Sequence, residues 1–461
     1  MVIRRLVFLL LACILMLAQP AVRTLADETG GSIELPGYFP PMEDRFDPDA
    51  PFKIVPANPD LVQGPDYQPL GLNLQRALLS PEMLREADSF GFSCYRLTVK
   101  QADFADPESP NLFVLADIVK RIRNMDCDVL LTLDSAGLDI DAYMEFFAAV
   151  DAAVGGMVRY YQVLDNINRH LGVSSYTYHE LIKRVREYRE KTGAEFEIVC
   201  GGVQGVDREF IADLVDAYVF DRVDAISFNL YPDPAHMEFA APPQEITPHS
   251  LYDAVVTFSN LRRFGKPFFV TSLGVSNAYA PLGVSQLDQA SMVARSILYL
   301  LNGGASRIFL HSFADTDQNY LNPLQCMGLY ACDGTAKPVA GVVRHLSQIL
   351  RGSYPFAPYY LFQMSNNFPA ARDPVYVQHF YHPPDRATYF IYWTSAMKML
   401  DRTTNLALYR TDLRPVALLN LLTGENAPPG HNSAGNLTLF AGLPLSHVPT
   451  AIKFIGGQPN G

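Results

Sequence analysis

The chain has 461 residues, of which 49% are hydrophobic and 18% are charged, a composition typical of a soluble globular protein with a large core. Its formal net charge is -12 at pH 7. This acidic balance argues against a nucleic-acid partner, because phosphate binding requires a basic face.

Residues 1–26 have the pattern of a secretory signal, with two arginines, an apolar run at positions 6–18 and small residues before a predicted cleavage site after Ala26. The apolar run is shorter than the ~20 residues that span a bilayer, so no permanent membrane span is expected. The alternatives are an uncleaved signal anchor and a lipoprotein processing site that ends at Cys13. We therefore expect a protein that is secreted or periplasmic.

Residues 27–68 are rich in proline, aspartate and glycine, which is typical of an extended arm that lies over a domain. Residues 69–351 then alternate apolar or β-branched runs with amphipathic stretches, which have helix signals such as a Ser80 N-cap and a terminal Gly193. Eight of these runs are predicted strands: 70–74, 93–99, 128–134, 160–165, 196–202, 224–231, 267–273 and 306–313. Strands that alternate with helices predict a (β/α)8 TIM barrel, with functional residues after the carboxyl ends of the strands.

From residue 352 to residue 461 the pattern changes to period-2 runs separated by proline, asparagine and glycine. This pattern predicts a small antiparallel β-sandwich that packs on the barrel. The sandwich either binds carbohydrate or serves as a packing module. Trp393, the single tryptophan of the chain, lies in one of its predicted strands.

The chain has six cysteines, and five remain once Cys13 is removed with the predicted signal, an odd number for an oxidising compartment. Cys326 and Cys332 flank a short loop and are the predicted disulfide pair. The other three are predicted to be buried in or beside apolar strands: Cys94, Cys127 and Cys200. No cysteine or histidine spacing typical of a metal site occurs, so we expect neither a metal nor a cofactor.

Five motifs of the predicted barrel occur in the order and spacing of a known enzyme family. They are "LGLNLQ" in the first strand, "GFSCYRLT" in the second, "DAISFNLYPDP" in the sixth, "GKPFFVTSLGVSN" in the seventh and "SRIFLHSF" in the eighth. Together they resemble the retaining glycoside hydrolases of the (β/α)8 clan, which includes endoglucanases and β-xylosidases. Arg96, in the second motif, matches the arginine of that family. The resemblance implies a carbohydrate cleft at the carboxyl ends of the strands.

Enzymes of this family cleave a glycosidic bond with two glutamates about 5 Å apart, one as acid and one as nucleophile. Aligning "RYYQVLDNIN" with their Asn-Glu-Pro turn places Asp165 on the asparagine and Asn166 on the acid. Aligning "PFFVTSLGVS" with their seventh strand places Ser272 on the nucleophile. An amide has no proton to donate, and a serine without a neighbouring base is a poor nucleophile. The resemblance therefore implies a scaffold that binds sugar without cleaving it.

The candidate ligand-binding residues fall at or near strand ends, where the cleft is expected to open. They are Arg96, Asp134, Asp165, Asn166, Asn229, Tyr231, Ser272 and His311. Arg96 has a structural alternative, an ion pair with Asp134 or Asp165, and His311 has one as a buried barrel histidine. Asn166 and Ser272 are alternatively solvated rim residues of a scaffold without a sugar ligand. The candidates for displaced catalytic acids are Asp134, Asp165, Asp233 and Asp315.

The sequence supports three functional hypotheses. The first is a secreted, catalytically degenerate glycosidase-like protein that binds or guides an oligo- or polysaccharide during export or assembly of an extracellular polymer. The second is an active glycosidase with relocated carboxylates, Asp165 and Asp134, and a bell-shaped pH profile. The third is an envelope scaffolding protein with a protein partner, which an exposed apolar patch on the sandwich would favour.

Overall fold

The structure is a computed structural model. The residues it describes are 55–56, 67–74, 80–104, 110–234, 237–239, 245, 247–357, 362–366, 375–395, 402–409, 413–434 and 437–456. The predicted signal at 1–26, its Cys13 alternative and the predicted arm, except for 55–56 and 67–68, lie outside the described residues.

A nine-stranded parallel sheet that curls into a barrel forms the centre of the fold. A two-residue strand, β1 (Val55–Pro56), precedes it along the chain. The barrel strands are β2 (Leu70–Leu74), β3 (Cys94–Lys100), β4 (Asp128–Asp134), β5 (Tyr160–Val163), β6 (Glu197–Val199), β7 (Val203–Gln204), β8 (Ile226–Leu230), β9 (Phe268–Leu273) and β10 (Ala305–Leu310). Their order in the sheet is β6-β5-β4-β3-β2-β10-β9-β8-β7.

The ninth strand arises because the predicted fifth strand is divided in two. Its first part, β6, pairs with β5, and its second part, β7, pairs with β8. At the end of the first part, a parallel bridge joins Val199 to Ala225, the residue before β8. One chain segment therefore connects both edges of the sheet and closes the ring. The predicted (β/α)8 barrel is confirmed, with a shorter and interrupted fifth strand.

Helices surround the barrel, and two of their ends, at Ser80 and Gly193, are those that the sequence predicts. They are α1 (Pro81–Asp88), α2 (Pro110–Asn124), α3 (Ile140–Val154), α4 (Ser175–Thr192), α5 (Arg208–Asp216), α6 (Leu251–Leu261), α7 (Gln286–Gly303) and α8 (Pro338–Leu350). Ser80 caps α1 by accepting a hydrogen bond from the Met83 backbone N–H, and Gly193, with a φ of 69°, ends α4. Among the described residues, no helix is long and apolar enough to cross a membrane.

Side chains fill the barrel interior in layers, because they alternate along each strand. The layer nearer the amino ends of the strands is an apolar cluster of Cys94, Leu130, Tyr160, Val199, Ala225, Phe269 and Phe309. The layer nearer the carboxyl ends consists of buried polar side chains: Asn73, Arg96, Thr132, Gln162, Ser227 and Thr271. This polar layer is the floor of the barrel mouth.

Two antiparallel sheets follow the barrel and pack face to face. Their strands are β11 (Tyr354–Ala357), β12 (Phe362–Asn366), β13 (Val375–His382), β14 (Ala387–Thr394), β15 (Arg402–Leu408), β16 (Arg414–Asn420), β17 (Asn426–Ala427), β18 (Asn432–Ala434), β19 (Leu437–Leu445) and β20 (Thr450–Ile455). The sheet orders are β1-β11-β13-β14-β20-β16-β17 and β12-β15-β19-β18. Phe390 and Phe454 of the larger sheet share one buried core with Leu406 and Phe440 of the smaller. The predicted β-sandwich is confirmed, and β1 extends its larger sheet.

A buried ion pair and a tryptophan join the barrel to the sandwich. Arg295 Nε, on α7, donates to Glu238 Oε1 at 2.7 Å, and Trp393 Nε1, on β14, donates to the same oxygen at 2.9 Å. The side chains of Arg295 and Glu238 are 3% and 1% exposed. Tyr376 stacks on Trp393, with the ring centroids 5.7 Å apart. The fully buried Trp393 is therefore a packing residue at this interface.

The predicted disulfide between Cys326 and Cys332 is wrong, because both residues are free cysteines. Cys326 is buried at the end of a short 3-10 helix (Pro323–Gln325). The chain then runs beside the segment after β10, where the Leu329 and Tyr330 backbone N–H groups donate to Phe313 O. The three other cysteines are buried, as predicted.

Arg295→Ala is expected to lower the free energy of unfolding by about 3–5 kcal/mol, because it leaves the Glu238 carboxylate buried without its partner. Chemical denaturation followed by fluorescence measures this loss, since the single tryptophan, Trp393, reports directly on the interface. The matched control is Arg85→Ala, which removes an exposed ion pair with Glu82 and is expected to cost less than about 1 kcal/mol. Equal losses in the two variants would contradict a stabilising role for the buried pair.

Candidate functional site

A buried arginine organises the polar layer at the barrel mouth. Arg96, on β3, is 4% exposed, and its Nε donates to Thr132 Oγ1 at 2.8 Å and to Gln162 Oε1 at 3.0 Å. Its Nη1 donates to Asn73 Oδ1 at 3.2 Å, and its Nη2 forms an ion pair with Asp165 Oδ2 at 2.8 Å. A buried guanidinium requires a compensating charge, which Asp165 supplies. The structural alternative for Arg96, an ion pair across the mouth, is therefore present with Asp165.

The turn after β5 brings two consecutive side chains to one amide. Leu164 and Asn166 adopt left-handed backbone conformations, with φ angles of 63° and 47°. Asn229 Nδ2, on β8, donates to Asp165 Oδ1 at 2.7 Å and to Asn166 Oδ1 at 2.9 Å. Thr271 Oγ1 donates to Asn229 Oδ1 at 2.9 Å and so orients the amide. Asn166, which the sequence alignment matches to the family's acid, thus accepts a hydrogen bond from Asn229.

Two glycines in the break of the fifth strand make room for this arrangement. A Cβ atom on Gly202 would lie 2.6 Å from Asn229 Nδ2, closer than side chains pack. A Cβ atom on Gly201 would lie 2.4 Å from Ile167 Cγ2 and 2.7 Å from Val163 O, at the turn after β5. The interruption between β6 and β7 is therefore the place where the chain passes close to Asn229 and to this turn.

Ser272, on β9, contacts the phenol group of Tyr231. The Tyr231 hydroxyl donates to Ser272 Oγ at 3.0 Å. Burial raises the pKa of Tyr231, so the phenol keeps its proton and does not act as a base toward the serine. Ser272 is itself buried. A buried serine that accepts a hydrogen bond from a protonated phenol is not an activated nucleophile.

His311 lies beside Tyr231, edge to face, with the ring centroids 6.1 Å apart. Its Nε2 lies 3.3 Å from the Leu324 carbonyl oxygen. Burial lowers the pKa of His311, so the ring is neutral at neutral pH. Because Nε2 donates to the carbonyl oxygen, the neutral ring has its acceptor at Nδ1. His311 and Tyr231 together form an aromatic side of the mouth.

Asp134 ends β4 and lies beside the turn that contains Asp165. Burial, and then the neighbouring Asp165 carboxylate, raise the pKa of Asp134, and His170 opposes them. A carboxyl group with a raised pKa beside an ion-paired carboxylate is the arrangement found where one acid holds a proton and the other does not. This pair is the feature of the site that favours relocated carboxylates.

The other two candidates for displaced acids, Asp315 and Asp233, make different contacts. Lys337 Nζ lies 2.9 Å and 3.0 Å from the two carboxylate oxygens of Asp315, and both side chains are buried. The prediction for Asp315 is therefore wrong, because its charge is paired in the interior. Asp233 lies on the loop after β8, where its backbone N–H donates to His249 O at 3.3 Å. Within the described part of the chain, no group of histidine, cysteine, aspartate or glutamate side chains could hold a metal ion.

The sequence analysis missed the polar residues beneath the candidates, namely Thr132, Gln162 and Thr271. Gln162 accepts from Arg96 and donates to Thr271 Oγ1 at 3.2 Å, and Thr271 continues the chain of hydrogen bonds to Asn229. Their signal in the sequence is a polar residue in the middle of an otherwise apolar strand. Such a residue needs a buried hydrogen-bond partner, which marks the interior level of the site.

Solved structures of similar architecture are glycoside hydrolases. A family 39 glycoside hydrolase from the gut symbiont Bacteroides cellulosilyticus WH2 matches with a TM-score of 0.62 and 17% identity, over 85% of this chain and 81% of that one. This chain has a glycoside-hydrolase fold. A glucosidase from Croceicoccus marinus matches with a TM-score of 0.57 and 13% identity, over 88% of this chain and 99% of that one. A monomeric β-xylosidase from Caulobacter crescentus CB15 matches with a TM-score of 0.54 and 12% identity, over 86% and 98%.

The resemblance drawn from the sequence motifs is confirmed by these structures at the level of the fold. No protein-family model and no curated protein matches the chain. At such low identity the likeness shows the fold alone, and function must be argued from the site.

Gly202→Ala is expected to lower the free energy of unfolding by roughly 1–3 kcal/mol, because the added methyl group must displace the Asn229 amide. Thermal and chemical denaturation measure the loss. Gly137→Ala is the matched control, since its Cβ would meet nothing within 4 Å. A Gly202→Ala protein as stable as the control would show that the fifth strand can move away from Asn229.

Asp134→Asn is expected to stabilise the protein at neutral pH, and the gain is expected to disappear in acid. The raised pKa of Asp134 means that folding disfavours its ionised form. The resulting penalty is absent below the ordinary aspartate pKa of about 3.9, grows as the pH rises and is complete above the raised pKa. The amide has no such penalty.

Thermal melts over a pH series measure this gain. Asp213→Asn, on the exposed side of α5, is the control and is expected to show no comparable trend with pH. A gain from Asp134→Asn that is as large in acid as at neutral pH would contradict the raised pKa.

Proposed function

We propose that the protein is a secreted, glycosidase-like protein that binds an oligo- or polysaccharide at the barrel mouth without hydrolysing it. The observation that carries the proposal is the chemistry at the two positions matched to the family's catalytic glutamates. Asn166 is bonded to Asn229, and Ser272 is bonded to Tyr231. Neither position supplies a carboxyl group, so the double displacement of the retaining enzymes lacks both of its participants.

The residues around the mouth supply the groups that bind sugar hydroxyls. Asp165, whose side chain is 16% exposed, offers a carboxylate, and Asn166 offers an amide carbonyl. Tyr231 and His311 offer aromatic surface. The buried network around Arg96 holds these groups in place, which reduces the cost of ordering them when a ligand binds. A rigid polar floor with aromatic sides suits a polyhydroxylated ligand.

The proposed ligand is an extracellular polysaccharide. The predicted secretory signal at residues 1–26 supports a location outside the cytoplasm, where such polymers are exported and assembled. A protein that binds the chain without cleaving it can guide the polymer and leave its length unchanged.

The proposal is tested by titrating the purified mature protein with a panel of oligosaccharides while measuring the release of reducing ends. We expect binding without release. Asn166→Ala and Tyr231→Ala are each expected to weaken binding roughly 3- to 10-fold, the contribution of about one hydrogen bond for Asn166 and one aromatic contact for Tyr231. Asn432→Ala, on an exposed strand of the sandwich, is the control. Full affinity in both mouth variants would show that the ligand binds elsewhere.

An active glycosidase with relocated carboxylates is the second candidate, because Asp134 has a raised pKa and a neighbouring carboxylate, Asp165. It requires release of reducing ends with a bell-shaped pH dependence. Under this alternative Asp134→Asn abolishes release and the exposed Asp213→Asn control does not.

The same titration distinguishes the scaffolding hypothesis from the two saccharide-based hypotheses. An envelope scaffold would bind none of the saccharides and would retain a protein partner during purification. That pair of results would replace the proposed function.

A further inference from the structure

Two tyrosines lie side by side on the loops after β9 and β10. Tyr279 is 65% exposed, and its ring centroid lies 6.0 Å from that of Tyr320, with an angle of 57° between the planes. Leu282 and Leu321, close to them in the chain, are also exposed. Large apolar and aromatic side chains that form a patch at the surface usually mark a binding surface.

Backbone hydrogen bonds hold both loops in place. The Tyr279 N–H donates to Tyr320 O at 2.9 Å, and the Asn277 N–H donates to Cys326 O at 2.9 Å. The Asp317 carboxylate accepts backbone N–H bonds from Asn319 at 2.9 Å and from Leu321 at 2.6 Å. The loop backbones are therefore held in place before any ligand arrives, which reduces the entropy lost when a ligand binds between them.

A shallow, open cleft of about 470 Å³ lies between these loops. Tyr279 and Tyr320 line it together with the polar residues Asn277, Ser285 and Gln286. Lys337 Nζ donates to Asn277 Oδ1 at 3.0 Å and fixes that side chain. A pyranose ring presents apolar C–H faces and a rim of hydroxyl groups, so aromatic walls with amide and hydroxyl groups between them match its chemistry.

Both loops leave the strands that form the barrel mouth. One follows Ser272 on β9, and the other follows His311 after β10. The His311 Nε2 contact with Leu324 O joins the second loop to the aromatic side of the mouth. The tyrosine pair therefore lies at the same end of the barrel as the candidate site.

We infer that Tyr279 and Tyr320 form an outer subsite that stacks a pyranose ring of the saccharide chain whose other units occupy the mouth. This inference rests on the proposed function and deepens it: the ligand is an oligosaccharide of several units. The side-chain amides of Asn277 and Gln286 beside the rings can bond sugar hydroxyls, which favours a sugar as the occupant.

The test is calorimetric titration of the full mature chain with oligosaccharides of increasing length, from the polymer that binds best. Wild-type affinity is expected to rise with length. Tyr279→Ala and Tyr320→Ala are each expected to lower the affinity for the long oligosaccharides roughly five- to tenfold and to leave the affinity for the shortest ligand unchanged. Tyr279→Phe is expected to keep the affinity, because it preserves the stacking ring. Tyr218→Ala, at an exposed tyrosine in the turn after α5, is the control.

The outcomes separate the outer subsite from the proposed function. If Asn166→Ala weakens binding of the shortest ligand and the tyrosine variants match wild type at every length, the outer subsite is overturned. The proposed binding at the mouth is then retained. If no saccharide of any length binds wild type, both are overturned. If Tyr279→Ala abolishes self-association or capture of a protein and changes no saccharide affinity, the tyrosine pair is a protein-docking surface and the inference fails.

Discussion

The buried guanidinium of Arg96 is the interaction on which the barrel mouth depends. A positive charge in a protein interior is tolerated only with a paired carboxylate and satisfied hydrogen bonds, and here Asp165, Thr132 and Gln162 provide them. β4, β5 and the turn after β5 contribute one partner each. The bonds to Arg96 therefore hold these three segments together around the mouth. The left-handed turn that brings Asp165 to Arg96 also places Asn166 in the network.

The same pairing limits the chemistry of the site. Asp165 is the carboxylate next to the family's acid position, but its charge balances Arg96, and neutralising it would leave a buried cation. Ser272 has a protonated phenol as its neighbour. Asp134 alone among the candidate acids combines a place beside the mouth with a raised pKa. Asp134 is therefore the one residue of the mouth on which the alternative of relocated carboxylates depends.

Two further buried ion pairs stabilise the surroundings of the site. Arg295 and Glu238 attach the sandwich to the barrel through Trp393. Lys337 neutralises Asp315 and also holds Asn277, so it supports the loop that presents Tyr279. These charges contribute to the positions of the loops around the mouth and, being buried and paired, are not available to a ligand.

The sequence by itself determined the elements and their order, because strand alternation, amphipathic periodicity and caps such as Ser80 and Gly193 depend on neighbours along the chain. It also placed Asn166 and Ser272 at strand ends through their motifs. Tertiary structure alone decided which residues meet. The pairing of Arg96 with Asp165, the burial of Asp315 against Lys337 and the close approach of Gly202 to Asn229 join residues distant in sequence. These residues come together only when strand register and barrel closure are established.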